Sequence, residues 1–192
     1  MAPKIIIFSA PSGAGKTTII RYLMKMDYLH LEFSISATSR PPRNNEIHGK
    51  DYYFLSVSEF QNKINNGEFL EWEEVYDNQY YGTLKTEVDR IWERRKNILF
   101  DIDVQGGLNI KNIYKEKALA VFVSPPSLDE LKTRIEKRSS ESREWINKRI
   151  AKAKYEMSFA DQFDKVLLND DLEKTLKESE KLVLDFIEKN NL

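Results

Sequence analysis

The chain has 192 residues, 41% hydrophobic and 32% charged, which excludes fibrous and low-complexity classes and allows one domain with a substantial core. Thirty basic side chains against thirty-one acidic ones leave a formal net charge of -1, so no global field draws the protein to nucleic acid or an anionic membrane, and anion binding has to be local. With no cysteine and two histidines, disulfides, thiolate metal sites, cysteine nucleophiles and histidine-rich metal sites are excluded, and a reducing compartment is admitted.

The first apolar run, Ile5-Ile6-Ile7-Phe8, has no polar alternation and predicts a central strand buried on both faces of a parallel sheet. Ser9, Pro11 and Ser12 interrupt it before the apolar core of a signal peptide forms, and no run reaches the length of a bilayer span, so the chain is read as cytoplasmic. Helical patterns over 16–26, 85–95, 104–113, 127–137 and 144–160 alternate with further strands at 97–103, 118–123 and 165–168. That order predicts an α/β fold, a parallel sheet core flanked by helices. In the last segment Leu172, Leu176, Val183, Phe186 and Ile187 share one helical stripe, with Asn169 or Asp170 as its cap, and predict a closing helix.

Residues 34–83 break this rhythm. Short aromatic stretches (Tyr52-Tyr53-Phe54, Phe69-Leu70-Glu71-Trp72, Gln79-Tyr80-Tyr81) sit between Pro, Gly and Asn turn signals, with a helix predicted at 58–65. This is expected to be an inserted mixed-β lobe. A second interruption, 134–149, is dense in charge and is expected to be a solvated, mobile segment over a site. The resulting division is a single domain with core 1–33, 84–126 and 156–192, an inserted lobe 34–83 and a short helical lid region 127–155.

The segment Ala10-Pro11-Ser12-Gly13-Ala14-Gly15-Lys16-Thr17-Thr18 follows the first strand and opens the first helix, the context in which a phosphate-binding loop works. Glycines at 13 and 15 let successive backbone N–H groups turn toward one anion, and the helix N-terminus adds its positive end. Lys16 would carry a full charge to the β and γ phosphates of ATP, and the Thr17 hydroxyl would ligate Mg²⁺. The loop departs from G-x-x-x-x-G-K-[ST] at its first position, where Ala10 stands. A plain glycine-rich turn would account for Gly13 and Gly15 but not for the Lys16-Thr17 pair. Asp101 and Asp103 end a strand at the edge where parallel sheets bind ligands; either could hold Mg²⁺, and either could cap the helix that follows.

The acceptor is addressed by the lobe. Ser36-Ala37-Thr38-Ser39-Arg40-Pro41-Pro42-Arg43 and then Glu46-Ile47-His48-Gly49-Lys50-Asp51-Tyr52 resemble the signature of the guanylate kinase family. Phe69-Leu70-Glu71-Trp72, Tyr80-Tyr81-Gly82-Thr83 and Asp101-Ile102-Asp103-Val104-Gln105-Gly106 match it in the same order, so the resemblance spans essentially the whole chain. It implies a single-domain enzyme that moves the γ-phosphoryl group of ATP to GMP. Arg40 and Arg43 would grip the acceptor phosphate, with Glu46 in the same signature and hydroxyls donated by Tyr52 and Tyr81. Glu71 would accept from guanine N1–H and the 2-amino group, which adenine cannot offer as adjacent donors. Asp103, Ser36 and Thr83 would complete the base pocket. Arg134, Arg138 and Arg149 resemble lid arginines that close over the transferring group, and Asn169 resembles a residue beside the adenine of ATP.

Two other readings stand beside this one. Another P-loop kinase with a different small acceptor would leave Glu71 and Asp103 without a task. A non-catalytic module that binds phosphorylated peptides through the same anion clamp would not need Gly13, Gly15, Lys16 and Thr17 intact. The implied partners are ATP and GMP with Mg²⁺, and neither nucleic acid nor a membrane.

Overall fold

The computed structural model of the chain describes residues 2–138 and 143–189. Strand β1 (Ile5–Ser9) is buried at every position, as an unbroken β-branched run at the centre of a two-sided sheet must be. Helix α1 (Lys16–Leu23) leaves it through the glycine loop, and β2 (Leu31–Phe33), β7 (Asn97–Asp101), β8 (Ala118–Ser124) and β9 (Lys165–Leu168) complete a five-stranded parallel sheet in the order β2-β7-β1-β8-β9. The chain goes to one side of β1 first and to the other side later. The crevice at the carboxyl end of β1 is therefore the switch point where such sheets take ligands.

Alternation along β1 divides the core. Ile6 and Phe8 pack with Ile19, Leu23, Val121 and Val183, under α1 and α7 (Leu172–Glu188). Ile5 and Ile7 pack with Val88, Ile91, Phe100 and Ile110, under α3 (Lys85–Glu93) and α4 (Val104–Tyr114).

The inserted segment forms a second, four-stranded sheet from β3 (Ala37–Thr38), β4 (Tyr53–Phe54), β5 (Phe69–Tyr76) and β6 (Gln79–Leu84), in the order β4-β3-β6-β5. Its small core is aromatic: Phe60 of α2 (Val57–Asn65) stacks on Phe69 at 4.3 Å and on Tyr80 at 5.4 Å between centroids. The Ser56–Glu59 capping box sets the start of α2. The charged stretch after β8 is helical in its described residues, as α5 (Leu128–Arg138) and α6 (Arg143–Met157), which meet through Leu131, Ile135 and Ala153.

Glu87 joins the two sheets. Its buried carboxylate accepts from the Ile35 N–H at 2.8 Å, the Tyr53 hydroxyl at 3.0 Å and the Arg90 guanidinium at 2.7 Å, and Arg90 also pairs with Glu32 on β2. Glu87→Ala would strand the Ile35 N–H and leave Arg90 with Glu32 as its remaining carboxylate partner. We expect a loss of about 3 kcal/mol, read as a lower urea midpoint; an unchanged midpoint would show the network carries no stability.

Two expectations are corrected, and one strand is added. The strand read at 97–103 stops at Asp101, because Asp103 caps α4 by accepting from Gly106 N–H at 2.7 Å. The closing helix is capped by Asp171, which accepts from Lys174 N–H at 2.9 Å, and not by Asn169 or Asp170. β2 was not expected from the sequence; its Glu32 breaks the apolar run, and it lies at the sheet edge.

Candidate active site

The glycine loop closes a cavity of about 690 Å³ at the carboxyl end of β1, lined by Ala10 through Thr18, Asp101 and Asp103, with Arg43 and Arg149 also on its wall. Gly15 holds φ +97°, a left-handed conformation, and a Cβ there would run into the Asn169 amide. That amide donates to the Ala14 carbonyl at 2.6 Å, bracing the loop from the end of β9. Lys16 lies across the cavity floor, 2.5 Å from the Asp101 carboxylate and donating to the Ile102 carbonyl at 2.9 Å. From α6, Arg149 donates to the Ser12 hydroxyl at 2.7 Å and so ties that helix to the loop. Arg134 donates to the Asn169 carbonyl at 3.3 Å and pairs with Glu130 at 3.1 Å, beside a shallower cavity of about 220 Å³ lined by Gly13, Gly15, Thr18 and Asn169. Arg138 ends α5, but its side chain lies outside the described residues.

A second cavity, about 250 Å³, opens in the lobe and shares the wall Asp101-Ile102-Asp103 with the first. Ser36, Glu71 and Asp103, expected around the base, and Tyr52 and Tyr81, expected on the acceptor phosphate, all line it. Gly82 lets β5 and β6 close up at this point, since a Cβ there would stand 2.6 Å from the Glu71 carbonyl. Arg40, Glu46 and Thr83 line none of these three cavities. Arg40 is buried beside the second one, its fork filled by Glu46 at 2.7 and 2.8 Å, its Nε donating to the Tyr81 hydroxyl at 3.1 Å, and its plane 5.0 Å from the Tyr52 ring centroid. The Glu46 carboxyl is drawn down to about 2 by the Arg40 guanidinium and by the Arg43 N–H it accepts from.

Burial pushes the Glu71 carboxyl up to about 7; the Thr83 hydroxyl partly offsets this and the Asp103 charge adds to it. Glu73, one strand period along β5, faces the same cavity and meets the Asp103 carboxyl, which together with burial raises it. One of its oxygens is buried with no hydrogen-bond partner among the described residues. Glu156, on α6, is raised by burial. Sequence reasoning missed Glu73, Lys152 and Glu156. Period two from Glu71 on a strand, and helical spacing from Arg149, were signals that could have found them.

The donor set of the Thr17 hydroxyl and the Asp101 carboxylate suits Mg²⁺, which retains waters and takes its remaining ligands from substrate phosphates. No group of three or more His, Cys, Asp or Glu side chains fit to hold a metal occurs among the described residues.

A phosphate loop at the switch point of a parallel sheet, facing a small-molecule cavity in an inserted lobe, defines a phosphotransferase of the P-loop kinase class. A family model for guanylate kinase matches residues 2–186. A guanylate kinase of Bacteroides thetaiotaomicron is 54% identical over 98% of this chain and 92% of its own length. One of Porphyromonas gingivalis is 50% identical over 97% and 99%. The crystal structure of a guanylate kinase from Anaplasma phagocytophilum superposes with a TM-score of 0.75 at 28% identity, over 95% of this chain and 85% of that one. The chain belongs to the guanylate kinase family.

Proposed function

We propose the following assignment of the site to the reaction of this family, in which the enzyme transfers the γ-phosphoryl group of ATP to GMP, giving ADP and GDP. The larger cavity takes the ATP phosphates on the backbone of residues 10–18, with Lys16 on the β and γ phosphates and the adenine beside Asn169. The smaller cavity takes GMP. Its guanine edge meets Glu71 and Asp103, with Ser36 and Thr83 alongside; its phosphate meets Tyr52 and Tyr81 on the cavity wall and Arg43 from the adjoining cavity, and displaces Glu46 from the fork of Arg40. The observation that carries this reading is the pair of carboxyl groups, Glu71 and Asp103, in a cavity sharing a wall with the phosphate loop.

The protein's work is positioning and charge neutralisation. Arg134, Arg138 and Arg149 close over the transferring group and exclude water. Thr17 and Asp101 would hold Mg²⁺ with the donor phosphates, where the ion neutralises developing charge. The inserted lobe 34–83 and the lid region 127–155 are the moving parts, and the core 1–33, 84–126 and 156–192 is the base they close on. No helix among the described residues is long and apolar enough to cross a membrane. We place the enzyme in the cytoplasm, in purine nucleotide metabolism, with dGMP as a second acceptor.

An assay of ADP release settles the acceptor. With GMP, AMP, UMP, dTMP or no acceptor offered in turn, GMP is expected to dominate; turnover with GMP equal to the blank would overturn the reading.

A further inference from the structure

We propose that Lys152 is a further catalytic residue, a cation that touches the phosphoryl group as it passes between the two cavities. The inference rests on reading the site as one for GMP phosphorylation. Four residues border both cavities: Asp101, Ile102, Asp103 and Lys152. A phosphate arriving from either side meets two carboxyl groups, one aliphatic side chain and one ammonium. The carboxyl groups repel it. Of these four residues Lys152 alone carries a positive charge, so it is the seam's own attraction for phosphate, beside Lys16 on the donor side.

The helix explains why this ammonium is there. Trp145, Arg149, Lys152 and Glu156 recur at every third, fourth or seventh position of α6 and all border the ATP cavity, so one face of the helix forms its wall. Arg149 on that face already reaches the phosphate loop. Lys152 is held loosely by comparison. Its Nζ is 4.0 Å from Glu156 Oε1, beyond hydrogen-bond range, and its side chain is 51% exposed, whereas Glu156 is buried. Glu156 thus acts as a fixed anion against which the flexible lysine rests until a stronger one arrives. A phosphate oxygen offers a charge-assisted hydrogen bond that the 4.0 Å contact does not.

In-line transfer concentrates negative charge at this seam. The bond from the γ phosphorus to the ADP oxygen breaks while a bond to a GMP phosphate oxygen forms, and Lys152 exchanges no proton and forms no covalent bond. A cation at that point gains more in the transition state than in either ground state, so its loss should fall on kcat.

The test compares wild type, Lys152→Met and Lys152→Arg at saturating ATP and varied GMP, with thermal midpoints to confirm folding. Lys152→Met is expected to lower kcat about tenfold or more with the KM for GMP within about twofold, and Lys152→Arg to recover most of the rate. A role confined to the Glu156 contact would leave kcat alone. Wild-type kcat in Lys152→Met, a change confined to KM, or an arginine variant as slow as the methionine one would each overturn the inference. Failure of the wild type itself to phosphorylate GMP would take down the functional reading beneath it, and is recognisable because it precedes any comparison of variants.

Discussion

Lys16→Ala is expected to lower kcat by at least about 100-fold while leaving GMP affinity within about twofold. Lys16 is paired with Asp101, so the substitution removes two things: a cation for the phosphates and a partner for a carboxylate. Magnitude separates them. The pair is partly exposed, with side chains 17% and 25% accessible, and such pairs contribute about 1 kcal/mol or less. A cation on transferring phosphates in an enclosed site is worth several times that in the transition state. Turnover measured by ADP release should therefore collapse while the thermal midpoint moves little. GMP binding, followed by calorimetry, should persist, because Lys16 borders the donor cavity and not the acceptor one. Retained turnover would remove Lys16 from the mechanism.

Glu71→Gln should cost at least about 10³-fold in kcat/KM for GMP and shrink the preference for GMP over AMP. A carboxylate can accept from both guanine donors, whereas the amide of glutamine would place N–H against N–H in a buried pocket. The raised Glu71 carboxyl adds a pH signature. Guanine requires the ionised form, so the KM for GMP should rise by about tenfold per unit as pH falls below about 7, the value set by its burial. Stability runs the other way. The folded protein holds this proton more tightly than the unfolded chain, so Glu71 subtracts stability as pH rises from 4.5 to about 7, and the penalty persists above that. Glu71→Gln should then be more stable than wild type at pH near 8 even as it loses activity. A flat KM profile across this range would mean Glu71 does not read the base.

Much of the core was legible because its strands are buried on both faces. β1, β7 and β8 announce themselves as unbroken apolar runs, while β2, three residues with Glu32 at the centre, carries no such signal and is specified by its neighbour β7. Local chemistry could not assign the caps. Asn169 is a good N-cap residue in isolation, but its side chain is committed to Ala14, 155 positions earlier in the chain, and Asp171 takes the role. Site residues in contiguous motifs were visible; those brought in by the period of an element were not, as with Glu73 beyond Glu71 and Lys152 beyond Arg149. The sequence offers Arg40 as a candidate ligand of the acceptor phosphate, but its engagement by Glu46 depends on how a Pro-rich loop turns back, which no periodicity encodes.

The bond from Asn169 to Ala14 spans 155 positions of the chain. During synthesis the phosphate loop is made 155 residues before its brace, so a nascent chain carries the ATP motif long before the loop can be held in shape. Nucleotide should consequently offer little help to folding intermediates that lack β9, and the docking of β9 at the sheet edge becomes the moment at which ATP can first stabilise the protein.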